Sequence, residues 1–180
     1  GHIAAVGYDL YCQMVNEAVS ELKGEVPKEP AEVKLDLPVD AHLSPDYVAK
    51  EELRLEAYRR LAAVLTDAEV DDIRAEWEDR YGPVPEPARR LLEVARLRAE
   101  CHRLGIRELN ITKGPAFGGP AYTARISPLT LRTSQTMRLA RLFKGAVYKE
   151  DHAQVLLPVP RSPDLAGTMV GLLRQLVPLA

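Results

Sequence analysis

The segment Glu76-Trp77-Glu78-Asp79-Arg80-Tyr81-Gly82 gathers charge around the chain's only tryptophan, just ahead of a glycine. Glu76 and Arg80 stand four apart, so on a helix they pair, and Asp79 falls on nearly the same face as Glu76. No nucleophile or metal ligand sits beside these carboxylates, so general acid–base chemistry has no support here. Two readings fit. In one, Trp77 is core and the charges form an intrahelical pair at a helix end. In the other, the patch holds a protein partner, because Trp and Arg are favoured interface anchors. The acid pairs Asp71-Asp72 and Glu78-Asp79 fit a solvated helix face.

Other sources of chemistry are weak. The loop Gly114–Pro120 (GPAFGGP) is glycine-rich, but Pro115 and Pro120 remove donor amides and its lysine, Lys113, precedes it. It reads as a hairpin tip carrying Phe117, not as a phosphate cradle. His2, His42, His102 and His152 lack ligand spacing, and the neighbours Cys101 and His102 point apart on a helix. Cys12 and Cys101 read as small buried hydrophobes, which suits a reducing cytoplasm. No catalytic, metal or cofactor-binding residue is expected, and no apolar run approaches the ~20 residues needed to cross a bilayer.

Charge is unevenly spread. Residues 1–102 hold 22 acids and 13 bases, whereas residues 103–180 hold 4 acids and 11 bases. From Arg103 to Lys149 there are nine bases and one acid, Glu108. Arg125, Arg132, Arg138, Arg141, Lys144 and Lys149 are candidates to follow a nucleic-acid backbone. Tyr122, Phe143 and Tyr148 form no recognisable stacking platform beside them.

The elements that would position these residues follow from periodicity. Leu10, Tyr11, Met14, Val15, Ala18, Val19 and Leu22 make an apolar stripe that predicts a helix over 8–23. Gly24 stops it, and the proline- and charge-rich 25–32 reads as an extended linker. Val33, Leu35, Leu37 and Val39 alternate with polar residues, a strand that Pro38 confines to an edge or an end. Ser44-Pro45 predicts a helix start and a helix around 46–65, with Leu53, Ala57, Leu61 and Val64/Leu65 on one side and Glu56 paired to Arg60. Thr66-x-x-Glu69 is a capping box for a helix to Tyr81 with Val70, Ile73 and Trp77 inward. A third helix runs from Pro85 to Leu104, with Leu91, Val94, Ala95, Leu97 and Cys101 inward. The three should form an antiparallel helical unit.

Beyond Gly105 the period changes. Residues 106–113 and 121–126 read as strands, and Ser127-Pro128 as the cap of a helix ending near Lys144-Gly145. Residues 146–150 and 153–159 form a second hairpin turning at 150–152, and Ser162-Pro163-Asp164 starts a last helix bearing Leu165, Met169, Leu172, Leu173 and Leu176. The fold class is therefore α+β: a tail helix and linker, a three-helix unit, then two hairpin-plus-helix units (ββα-ββα) sharing a small sheet.

An ordered series of segments resembles one bacterial family. GHIAAVGYDLYCQM (Gly1–Met14), RLEAYRRLA (Arg54–Ala62), EWEDRYGPVPEPARRLLEVARLR (Glu76–Arg98) and LGIREL (Leu104–Leu109) are similar to the C-terminal (TRCF) domain of the transcription-repair coupling factor and to the tail of its preceding translocase domain. The resemblance implies three parts: residues 1–24 as the last helix of a motor, 25–33 as linker, and 34–180 as a regulatory domain. It implies a cytoplasmic bacterial parent, an ATP-driven DNA translocase of transcription-coupled DNA repair that displaces RNA polymerase and recruits UvrA, with ATP and Mg bound upstream. The domain itself would be non-catalytic and autoinhibitory. It would dock on the parent's UvrB-like N-terminal module and mask the UvrA-binding surface through Glu76, Asp79 and Arg80. The alternative is a nucleic-acid-binding accessory domain that uses the basic half, 103–149.

Overall fold

The computed structural model describes residues 33–114 and 119–180. The expected helix over 8–23, the linker, Cys12 and the loop tip at Phe117 lie outside them. Among the described residues the chain forms strand β1 (Lys34–Asp36), helices α1 (Glu51–Ala62), α2 (Asp67–Tyr81) and α3 (Glu86–Leu104), and the hairpin β2 (Glu108–Lys113) and β3 (Tyr122–Ser127). Helix α4 (Thr133–Leu142) follows, then β4 (Val147–Lys149), a 3-10 turn (Glu150–His152), β5 (Gln154–Val159) and helix α5 (Leu165–Leu176). This is the expected α+β class, with both hairpins in one sheet.

The sheet order is β1-β2-β3-β5-β4. β1 runs parallel to β2, with Leu35 beside Leu109, and every other neighbour is antiparallel. Pro38 lacks an amide hydrogen, and β1 is accordingly a three-residue edge strand. One face of the sheet is apolar and buried: Leu35, Leu109, Ile111, Ala124, Ile126, Val155, Leu157 and Val159. It shares one core with Leu91, Val94 and Leu97 of α3 and with Met169 and Leu173 of α5. Burying each of the larger of these side chains, all but Ala124, contributes about 1.5–3 kcal/mol. The opposite face carries Lys34, Asp36, Glu108, Thr112, Arg125 and Lys149 toward solvent.

Helix boundaries at the Ser-Pro pairs differ from expectation. Ser44 builds one turn, in which Tyr47 N–H donates to its hydroxyl (3.3 Å) and Val48 N–H to its carbonyl (3.0 Å). The chain then extends, and α1 begins only at Glu51, not at 46. Arg54 of α1 donates to the Val48 and Ala49 carbonyls (2.8 and 3.0 Å), so the isolated turn is capped from outside itself. Helix α1 stops at Ala62. Val64 is still buried, but Leu65 is exposed. Ser127 caps no helix: it ends β3, and its carbonyl accepts from Arg107 N–H (3.1 Å). Helix α4 starts six residues later, where Gln135 Oε1 accepts from Arg132 N–H (2.9 Å). At the third pair, Asp164 is the cap, and its carboxylate accepts from Gly167 N–H (3.1 Å).

The three helices α1–α3 are not an independent unit. Helix α3 packs most extensively on α5, from the far end of the chain. The capping box at Thr66 is half formed. Glu69 N–H donates to Thr66 Oγ1 (3.3 Å), but the Glu69 carboxylate accepts from Leu65 N–H, not from Thr66.

Candidate functional site

Glu76, Asp79 and Arg80 all lie in the last turns of α2. Thr66 sets the start of this helix, Trp77 anchors its middle, and Gly82 ends it. Trp77 is 2% exposed beside Val70 and Ile73, so the tryptophan is core and not a surface anchor. Gly82 takes φ +87°, a conformation that suits glycine. Its carbonyl accepts from Tyr47 Oη (2.9 Å), and the Tyr47 ring meets Tyr81 edge-on at 5.6 Å. Burial, reinforced by the Glu78 carboxylate, raises the Tyr47 phenol above its ordinary pKa, so it stays a donor. The turn at 44–48 thus pins the C-terminal end of α2.

Glu76 sits between two guanidinium groups. Arg60, from the last turn of α1, donates to one carboxylate oxygen, and Arg80 reaches the other at 3.4 Å. The Arg60 hydrogen bond is the main reason the Glu76 carboxyl lies below its ordinary pKa. Arg80 also lies over the Tyr81 ring, 5.3 Å from its centre. Arg60 is therefore part of the site, and the expected Glu56–Arg60 pair is not formed. Glu56 meets Arg59 instead, at 3.6 Å. The reason is geometric: Arg60 faces α2, where Glu76 offers a partner outside its own helix. Glu78 is taken by Arg74 (3.1 Å). Asp79 is exposed and has no ion pair or side-chain hydrogen bond among the described residues. Arg60, Glu76 and Arg80, with Glu56 and Tyr81, rim a groove of about 270 Å³ between α1 and α2, floored by Leu53, Ala57 and Trp77; Asp79 lies outside it.

A second charged cluster has no counterpart in the sequence reading. Arg174 of α5 clasps Asp67 at the start of α2 with two bonds of 2.9 Å and reaches Glu100 of α3 at 3.1 Å. Arg96 also meets Asp67 (2.8 Å), Asp71 (3.1 Å) and Glu93 (3.3 Å). Glu100, only 3% exposed, is satisfied further by Arg103, which in turn donates to the Val177 carbonyl (2.7 Å). The Arg174 hydrogen bonds hold the Asp67 carboxyl at about 2. Burial pushes Glu93 the other way, above its ordinary value. Asp71, expected to be merely solvated, is thus one member of a cross-helix network. The i,i+3 pairs Glu93–Arg96 and Glu100–Arg103 are visible in the sequence. The link across 107 residues is not.

The basic set divides. Arg138 is half-buried and donates to the Leu176 carbonyl (3.1 Å). Arg125, Arg132, Arg141, Lys144 and Lys149 are exposed, with no side-chain partner among the described residues. Phe143 is buried, and Tyr148 Oη accepts from Leu131 N–H (3.1 Å), so both aromatics serve the fold. Cys101 is fully buried.

Comparison places this arrangement among known folds. The structure superposes with a TM-score of 0.66 on a crystal structure of the C-terminal domain of transcription-repair coupling factor, covering 81% of this chain and 92% of that one at 13% identity. The fold class is that of a TRCF-type α+β domain. In sequence, the TRCF domain family matches residues 37–125. Transcription-repair-coupling factors of Mycobacterium tuberculosis and Mycobacterium bovis are each 44% identical over 94% of this chain. That of Escherichia coli is 35% identical over 61%. The chain belongs to the TRCF domain family. It spans 14% of the length of the mycobacterial relatives. Among the described residues no helix is long and apolar enough to cross a membrane.

Proposed function

We propose that residues 34–180 are a non-catalytic regulatory domain of a coupling factor in transcription-coupled DNA repair. The domain docks through the end of α2 on the parent's UvrB-like N-terminal module and masks the surface that binds UvrA. Residues 1–24 are the end of the translocase motor, and 25–33 are the tether. ATP and Mg belong upstream, in the motor. RNA polymerase and UvrA are partners of the whole protein.

The observation that carries this reading is the contrast within α2. Glu76 is held by Arg60 and Arg80, whereas Asp79, one turn from Glu76, projects to solvent without a partner among the described residues. Glu76 and Arg60 would fix the position of Arg80, leaving Asp79 as the charge offered to a basic partner. Contacts of this kind are polar and reversible. Couplings of about 1–3 kcal/mol are sufficient for regulation, and exposed charge pairs act chiefly through specificity and salt-sensitive association.

The test is charge reversal in the full-length parent. Asp79→Arg and Arg80→Glu are expected to raise ATP hydrolysis and UvrA retention and to weaken capture of this domain by the separate N-terminal module. If all three readouts stay unchanged in folded protein, the site is misassigned.

A further inference from the structure

The open face of the sheet holds a second surface, remote in sequence from α2. Arg125 stands beside Leu156 in the β3–β5 register, and Leu156 stands beside Val147 in the β5–β4 register. Cross-strand partners share a face, so these three form one row. The next row brings Thr123 beside Pro158. Thr123, Val147, Leu156 and Pro158, with Pro120, Lys144 and Gly145, line a groove of about 420 Å³, and Arg125 stands next to it, beside Leu156 in the register. Val147 in its wall is 45% exposed. Gly145, at φ +87°, brings the turn before β4 close to the floor: a Cβ there would lie 3.6 Å from Pro158 Cγ.

Charge says what fits. Arg125 and Lys144 border the groove, exposed and without a side-chain partner among the described residues. The acids nearest Lys144 in sequence, Glu150 and Asp151, lie beyond Lys149 at the far end of β4, and Glu108, which shares the open face with Arg125, forms no ion pair with it among the described residues. An aliphatic floor with a polar cationic rim has the anatomy of a protein interface. A site for nucleic-acid bases needs exposed aromatic faces, and Phe143 and Tyr148 are engaged in the fold. β4 is also the last strand of the sheet among the described residues, the position at which strand addition takes place.

We propose that this groove docks an extended acidic segment of a partner protein. An aliphatic side chain of that segment rests on Val147, Leu156 and Pro158, and its carboxylates meet Arg125 and Lys144. The surface is separate from the α2 site, and its occupant need not be the same molecule.

The experiment is an NMR titration of the isotope-labelled 180-residue chain with a short synthetic peptide that alternates leucine with aspartate and glutamate. Two controls accompany it: the same peptide with lysine at each acidic position, and a short DNA duplex. Saturable shifts are expected at Lys144, Val147 and Leu156 with the acidic peptide alone. Arg125→Glu or Lys144→Glu should weaken them about tenfold, in proteins whose spectra keep the parent's dispersion, and Val147→Ser should weaken them as well. The proposal is overturned if the acidic peptide shifts none of these residues. Equal binding of the lysine peptide would overturn it by showing an apolar surface without charge preference. Tighter binding of the duplex to the same residues would assign the groove to nucleic acid instead.

Discussion

The helical half, 33–104, and the sheet half, 106–180, use charge in opposite ways. Every arginine from Arg54 to Arg103 has an oxygen partner. Arg59, Arg60, Arg74, Arg80, Arg89, Arg90, Arg96 and Arg103 meet carboxylates, and Arg54 and Arg98 meet carbonyls. In the sheet half, Arg125, Arg132, Arg141, Lys144 and Lys149 meet none among the described residues. Arg138 and Arg174 are exceptions: Arg138 donates to the Leu176 carbonyl, and Arg174 reaches back into the helical half. An excess of acid near paired arginines is a structural device, and Asp79, like Asp72 on the same helix, has no ion pair among the described residues. An excess of base without acids is surface left for something else.

Four measurements would break or sharpen this contrast. The largest effect is expected at Trp77→Ala, which empties the core under the α2 site. A loss of about 3–5 kcal/mol in urea unfolding is the expectation for an aromatic truncation of this kind. A small loss would mean that α2 is held mainly by its surface pairs.

Next is Arg174→Met, which removes the clasp between halves and leaves Glu100, 3% exposed, with Arg103 alone. Breaking a half-buried pair of this sort should cost about 2–3 kcal/mol. The loss should shrink in the double variant with Asp67→Asn, because the two groups share one interaction.

The pH dependence comes third. Asp67 is held at about 2 by Arg174 and Arg96, below its ordinary 3.8. Its folded pKa is depressed, so its contribution is complete above the ordinary value and disappears as pH falls through about 2. Glu93 works in the opposite direction. Burial raises it, so the stability linked to its neutral form is present below its ordinary 4.5 and lost as pH rises through the raised folded value. Urea midpoints followed down through the acid range should therefore fall less in Asp67→Asn than in the parent.

The smallest effect separates the halves most directly. Arg96→Gln should destabilise measurably, by about 1–2 kcal/mol, because it leaves Asp67, Asp71 and Glu93 short of a partner. Arg125→Gln and Lys144→Gln should stay within about 0.5 kcal/mol of the parent. A clear loss at Arg125 would show that the sheet half spends its bases on stability as well.

Much of the fold is legible in the residues themselves. The stripes Val70–Ile73–Trp77 and Leu165–Met169–Leu173–Leu176, and the alternation Val33–Leu35–Leu37, report which face is buried, because apolar residues recur at the period of the backbone that carries them. The Ser-Pro pairs misled because a serine and a proline open a turn as readily as a helix. Whether the turn continues depends on what later satisfies its carbonyls, and after Ser44 that group is Arg54. Arg60 shows the same limit. Four residues from Glu56, it satisfies a local rule, yet a partner on another helix wins.

The sequence alone determined the α+β class, the inward faces of α2, α3 and α5, and the concentration of charge at Glu76, Asp79 and Arg80, since each depends on residues within a turn or two of one another. Only the tertiary structure decided that β1 lies parallel to β2, that β5 separates β3 from β4, and that Arg174 joins Asp67 and Glu100. These facts depend on contacts between residues tens of positions apart, and no local period encodes which distant partner a face will meet. For the same reason, only the folded chain could show that Asp79 and Arg125, Arg132, Arg141, Lys144 and Lys149 have no side-chain partner among the described residues.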